Sequence, residues 1–566
     1  MVTSQWNIDA MKSYQIYGLN WMYLLYEWGF GGILADDMGL GKTCQVVSLM
    51  CSLVGLWQGD SDEAEGDRIM PWPNLIVVPP STLTNWQNEF KKFAPDLRVT
   101  TYSGSTMQRD MLADDILDDV SQHHVILTTY SQLGRKEDIG NLKKIKPVTA
   151  VFDEGHKLKN PGTKLYQDLS RIPAKWRLLL TGTPVQNNLM EMIGLLSFIQ
   201  PSLFTHHLDE LEALFAQKHS VADLSKGVGL HSERVGRART ILEPFILQRR
   251  KEQVLQDLPG KTRRVVLCDL GEDQRAVYQQ YQKRYLKQAV DQTGGPSKKG
   301  RANDTNNTWM QLRKAAVHQL LFRRLFDDET CYKMARIALR SIPYDELRQD
   351  NLEHMAQELM NSSDFELHLW CRDYKKHLGA FDIPDGAWLQ CGKVQQLMSL
   401  LRRYKKNGDR ALVFTKFAKV IEILSECLQS KGVRYVALQG STDVKERQSL
   451  IDEFSKNEDI TVFLLTTGAG GTGINLTAAN KVIVFDMSDN PQEDVQAENR
   501  AHRLGQTREV EVVRLVSRDT VEELIHKACL KKLELADKVT GWETADMDME
   551  AEIRSELQDK VRRGEL

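Results

Sequence analysis

Short apolar runs recur along the chain at intervals, each closed by a turn residue. Between residues 31 and 205 these runs are Gly32–Ala35, Leu75–Val78, Val125–Thr128, Val148–Phe152 and Arg177–Leu180. They are too continuous to leave one face in water. They therefore predict buried strands of a parallel sheet, with the longer stretches between them as crossover helices. The pattern returns at Arg410–Phe414, Arg434–Leu438, Thr461–Leu465, Lys481–Phe485 and Val510–Leu515. Residues 206–385 are charged and read mainly as helix. Four segments follow: an α/β lobe at 1–205, a helical insertion at 206–385, a second α/β lobe at 386–530, and a helical brace or tail at 531–566. The first lobe opens on a helical segment that carries Trp6, Tyr14, Tyr17, Trp21 and Trp28. The acidic run Gly59–Asp67 predicts a surface loop, and so does the stretch from Thr293 to Arg301, continuing through Asn307.

Composition narrows this picture. The 566 residues are 41% apolar and 27% charged, enough for two to four domains with real cores. A net charge of −3 does not advertise a polyanion partner, so any nucleic-acid surface must be a local patch. The eight cysteines form no Cys-x-x-Cys pair and read as reduced thiols of an intracellular protein. No apolar run approaches about 18 residues, so neither a membrane span nor a secretory signal is expected. The first motif stands so near the start that a fragment of a longer protein is expected.

The chemistry concentrates behind two of the strands. Asp36-Asp37-Met38-Gly39-Leu40-Gly41-Lys42-Thr43 follows Gly32–Ala35, and Asp153-Glu154-Gly155-His156 follows Val148–Phe152. The first reads as a phosphate-binding loop. Glycines let backbone amides approach phosphate, Lys42 reaches the β- and γ-phosphates, and the Thr43 hydroxyl sits on Mg²⁺. Asp36 stands where the strict pattern has glycine; alone, the segment also fits a glycine-rich turn before a helix. Asp153 is the expected partner of Mg²⁺, and Glu154 the group that polarises the attacking water. In the first helical segment, Gln15 is placed to read an adenine edge.

The second lobe has no phosphate loop of its own. It offers Gln496-Ala497-Glu498-Asn499-Arg500-Ala501-His502-Arg503 instead. On a helix, Gln496, Arg500 and Arg503 share one side, so two guanidiniums can cross a cleft to a transferring phosphoryl group. A surface ion-pair face is the alternative. The glycine-rich turn Thr466–Leu476 suits a nucleic-acid phosphate, and Thr181 and Thr183 suit coupling between nucleotide and lobe contact; ordinary turns are the alternatives.

Taken together, these segments resemble the SWI/SNF-related ATPases of helicase superfamily two. The likeness rests on Tyr14-Gln15-x-x-Gly18, Asp36–Thr43, Val77–Ser81 with Asn85-Trp86, Asp153–His156, and Thr181–Pro184 with Gln186–Asn188. It continues through Asp443–Arg447, Gly470–Leu476 and Gln496–Gln506. In that family Asp36 is the usual residue. Pro244–Lys251 with Val254–Pro259 looks most like the SMARCAD branch. The resemblance implies two RecA-like doubly wound parallel-sheet lobes with helical insertions. It implies ATP and Mg²⁺ at Gln15, Asp36, Asp37, Met38, Gly39, Leu40, Gly41, Lys42, Thr43, Asp153 and Gln496, with Lys42, Asp153, Glu154, Arg500 and Arg503 catalytic. Double-stranded DNA would lie near Ser81, Thr129, Lys416, Gly440 and Thr467, and nucleosomes would be the substrate of a nuclear, monomeric motor. A recombination-type translocase and a weakly catalytic chromatin scaffold are the alternatives.

Overall fold

A computed structural model describes residues 11–59, 70–182, 189–204, 243–255, 257–292, 299–470, 474–488 and 490–538. Two sheets, every neighbouring pair parallel, form its centre. The first holds β1 (Gly32–Leu34), β2 (Asn74–Val78), β3 (Val99–Tyr102), β4 (Val125–Thr129), β5 (Thr149–Asp153), β6 (Trp176–Leu180) and β7 (Ile246–Leu247). Their order is β3-β4-β2-β5-β6-β1-β7. The second holds β8 (Lys261–Cys268), β9 (Ala411–Thr415), β10 (Tyr435–Leu438), β11 (Val462–Thr466), β12 (Lys481–Val484) and β13 (Val510–Ser517), in the order β10-β11-β9-β12-β13-β8.

Alternation along the strands divides each core into two layers, as a sheet covered by helices on both faces requires. Ile33, Leu75, Val77, Ile126 and Phe152 pack into one layer of the first lobe. Leu34, Ile76, Val78, Leu127 and Val151 pack into the other, against the helices Ser13–Glu27 and Lys42–Gly59. In the second lobe, Leu412, Phe414, Phe463 and Val482 share one layer. Val413, Leu464, Ile483 and Val513 share the opposite layer with the helices Asp328–Ser341, Leu352–Asn361 and Asp364–Asp373. The helical insertion thus completes the core of the second lobe and does not stand apart from it.

Three strands were not expected: β3, β7 and β8. The last interrupts the segment read as helical. It is an edge strand, and its consecutive Arg263 and Arg264, which alternate across the strand to Glu498 and Glu511, hide it from an apolar-run search. Arg263 and Lys261 lie 2.8 and 3.4 Å from the carboxylate of the fully buried Glu498, which Arg514 on β13 also binds. The expected loop is corrected over 299–307, which belong to the helix Lys299–Val317, while 293–298 lie outside the described residues. Residues 60–69, 205–242 and 539–566 lie outside the described residues, so the expected acidic loop and the tail beyond 538 have no structural counterpart here. β7 and β8 both come from the segment 246–268, so one connection lends an edge strand to each sheet.

Candidate nucleotide site between the lobes

The loop after β1 has the backbone the sequence asks for. Gly39 and Gly41 take φ values of +90° and +79°, where any other residue is strained. Lys42 opens the helix Lys42–Gly59, and its amine donates to the carbonyls of Asp36 (2.6 Å) and Asp37 (3.4 Å). Burial lowers its pKa, while Glu154, Asp36, Asp153 and Asp37 oppose that shift. A buried amine turned onto its own loop carbonyls, beside two strand-end carboxylates, suits an incoming phosphate. Gln15 and Tyr14 both donate to the Leu40 carbonyl at 3.1 Å, so Gln15 rests on the loop itself.

Asp153 closes β5. Its Oδ2 accepts from the Trp86 indole (2.9 Å), its Oδ1 from the Glu154 amide (2.9 Å), and its carbonyl from the Tyr130 hydroxyl (2.7 Å). Burial and the neighbouring Glu154 raise its pKa to about 6. Burial would raise Glu154 too, but His156 (3.3 Å away), Lys42 and Arg500 hold it below the usual range. Glu154 sits in the left-handed region at φ +52°, a conformation kept only when neighbours fix it.

The second lobe meets this loop directly. Arg500 Nη2 lies 3.7 Å from the Met38 sulfur. A Cβ placed on Gly39 would lie 2.6 Å from Arg503 Cβ. Burial beside Arg503 lowers the Arg500 pKa to about 10, with Glu154 and Asp153 opposing. The expectation that these arginines stand on a helix is corrected. The helix Pro491–Glu498 ends before them. The turn beyond it is gathered by Gln506, whose amide donates to the carbonyls of Thr477, Ala479 and Ala501. Gln496 remains on the helix, half-buried.

The connection between the lobes runs through Arg249 and Lys251, which the family resemblance implies, with Arg250, as part of a brace between the lobes. Past β7 the chain continues pairing with the phosphate loop: Ala35 N donates to Leu247 O (2.7 Å) and Asp37 N to Arg249 O (3.0 Å). Arg249 binds both carboxylate oxygens of the fully buried Asp36 and, at 2.9 Å, Gln45. The aspartate that breaks the strict loop pattern is therefore the anchor of this connection. The Lys251 amide donates to Asp37 (3.0 Å), and its buried amine to Asn499 (2.8 Å) and the His502 carbonyl (2.6 Å). The resemblance gives Arg249 and Lys251 a place in that brace but not their partners, which lie more than 200 positions away.

The five residues expected to face DNA all stand at carboxyl ends of strands, the edge that also carries Lys42 and Asp153. Ser81 follows β2 on the turn Pro80–Thr82, Lys416 follows β9, and Gly440 follows β10, exposed. Thr129 and Thr467 are only 3% and 4% exposed, and the Thr129 hydroxyl bonds Ser131 at 3.0 Å. Their side chains do not form an open surface in this conformation. Thr181 is buried after β6, with its amide on Leu34 O, whereas residues 183–188 and 471–473 lie outside the described residues.

Comparison with known proteins adds a family. Residues 14–321 match the SNF2-related domain, and residues 392–505 match the helicase conserved C-terminal domain. The chain is 43% identical over 535 residues to the ATP-dependent helicase fft2 of Schizosaccharomyces pombe, covering 93% of this chain and 40% of that one. It is 39% identical over 563 residues to the ATP-dependent helicase FUN30 of Saccharomyces cerevisiae, covering 98% and 48%. A solved structure of the C-terminal part of the Fun30 ATPase domain aligns at 34% identity with a TM-score of 0.47, covering 54% of this chain and 99% of that one. The chain spans about half the length of the curated relatives it matches.

Proposed function

This chain belongs to the SNF2-related family, in the branch that holds the fft and FUN30 helicases, and we propose that it is a DNA-dependent ATPase that translocates on duplex DNA and remodels nucleosomes. One observation carries the reading: Arg500 and Arg503 of the second lobe pack on Met38 and Gly39, on the same loop as Lys42. A site divided in this way works only when the lobes meet, so hydrolysis reports a conformational step.

Each residue then has a task. Lys42 exchanges the carbonyls of Asp36 and Asp37 for phosphate oxygens. Thr43 and Asp153 are the groups to hold magnesium, which when bound offsets charge on the β- and γ-phosphates. Glu154, kept ionised by its cationic neighbours, orients the attacking water and accepts its proton. Arg500 and Arg503 balance the charge that develops on the phosphoryl group. Gln15 is fixed beside the loop, toward the base.

Duplex DNA would lie along the strand ends near Ser81, Lys416 and Gly440, with Thr129 and Thr467 reached through backbone or after local movement. Phosphate contacts would dominate, giving salt-sensitive and nearly sequence-independent binding. No helix among the described residues is long and apolar enough to cross a membrane. We place the motor, as a monomer, on nuclear chromatin.

Steady-state ATPase without DNA, with naked duplex and with nucleosomes tests the proposal. Stimulation greatest with nucleosomes is expected, and Glu154→Gln should bind ATP while losing at least about a hundredfold in turnover. Equal stimulation by naked duplex would favour a recombination-type translocase. Lack of stimulation by either would leave a chromatin scaffold.

A further inference from the structure

Two turns at the strand ends each send one side chain to Asp153. The first turn, Pro80–Thr82, carries Ser81 and runs without a break into the helix Leu83–Phe93, because both Thr82 and Leu83 are already right-handed helical. Trp86 stands in the first turn of that helix, fully buried, and its indole donates to Asp153 Oδ2 at 2.9 Å. The second turn follows β4. Thr129 ends the strand, and Tyr130 comes next, with its amide on Val78 O (3.1 Å) and its hydroxyl on the Asp153 carbonyl (2.7 Å). β4, β2 and β5 are neighbours, so both turns border Asp153.

These bonds fix different parts of one residue. The indole and the Glu154 amide take one carboxylate oxygen each, which sets the rotation of the carboxylate. The phenol holds the peptide that leads into Glu154, the residue at φ +52°. Relaxing either bond frees the carboxylate or the strained peptide to turn away.

We infer that Trp86 and Tyr130 are positioning residues through which duplex binding at the two turns sets Asp153 and Glu154 for hydrolysis. The inference rests on the DNA-dependent reading above and names how that dependence arises. A duplex phosphate that shifts the Ser81 turn shifts the rigid helix and its indole. A contact at Thr129 shifts the adjacent phenol.

The test uses the full chain with Tyr130→Phe and, separately, Trp86→Phe. Tyr130→Phe removes one oxygen and keeps the ring, so it decides the matter alone if Trp86→Phe fails to fold. DNA-stimulated turnover should fall about tenfold, the contribution of roughly one hydrogen bond, and by clearly more than unstimulated turnover falls, so that the stimulation factor itself drops. A second readout involves no turnover. In a Glu154→Gln background, duplex should tighten binding of a fluorescent ATP analogue with magnesium, and each variant should bring that factor close to one. Without nucleotide, duplex affinity should change less than about twofold, since no DNA contact is removed. Full stimulation and full coupling in Tyr130→Phe would overturn the inference, and so would equal loss with and without DNA. A parent chain that duplex DNA fails to stimulate would overturn the proposed function along with it.

Discussion

The two lobes share one strand order. Leaving out β7, the first sheet reads 3-4-2-5-6-1, and counted from β8 the second reads the same. Position for position, β1 corresponds to β8 and β5 to β12. After β1 comes the loop with Gly39 and Gly41 at positive φ, and then Lys42. After β8 come Asp269-Leu270-Gly271-Glu272-Asp273 and the helix Glu272–Gln292. Carboxylates there already meet the helix N-terminus and would repel a phosphate. After β5, Asp153 is held by Trp86; after β12, Asp486 is held by Thr415 and the Lys416 amide. The fold is repeated, but the proposed chemistry uses one set of strand ends, against which Arg500 and Arg503 of the second lobe pack.

The sharpest way to break the comparison is to alter equivalent turns. Gly39→Ala forces a side chain into the left-handed region and against Arg503, so ATP turnover should fall about a hundredfold or more. Gly271→Ala, where the nearest atom to a new Cβ is Gln390 O at 3.7 Å, should leave turnover within about twofold. Parallel kinetic assays of the pair check this. Next comes the connection between the lobes. Arg249→Ala strands the buried Asp36 carboxylate, and breaking such a pair costs about 3–5 kcal/mol. Calorimetry should show the first lobe melting roughly 10 °C lower.

The smallest expected effect is in the second lobe. Burial raises the Asp494 pKa to about 7, with Arg514 opposing. The folded state therefore binds the proton more tightly, and stability falls as pH rises from the ordinary carboxylate value through about 7. Asp494→Asn should raise the melting temperature by a few degrees at pH 8 and by almost nothing at pH 4. Melting curves at the two values decide it.

How much was legible follows from the same contrast. Ten strands were visible because buried parallel strands must be apolar on both faces. β3, β7 and β8 are short or at an edge, and β8 hides its purpose in arginines whose partners, Glu498 and Glu511, are over 200 residues away. The phosphate loop and the Asp153–Glu154 pair were legible because their function depends on local spacing. Asp36 was not understood until Arg249 was found beside it, and the helix expected under Arg500 and Arg503 ends at Glu498. Pairings made by tertiary approach leave no periodic trace.

In the proposed mechanism both lobes act on one nucleotide. Arg503→Ala tests it most directly, by measuring DNA-stimulated turnover together with ATP affinity. Turnover should fall by about a hundredfold or more with affinity within about threefold, the mark of a group that acts in the transition state. Full DNA-stimulated turnover in Arg503→Ala would contradict it.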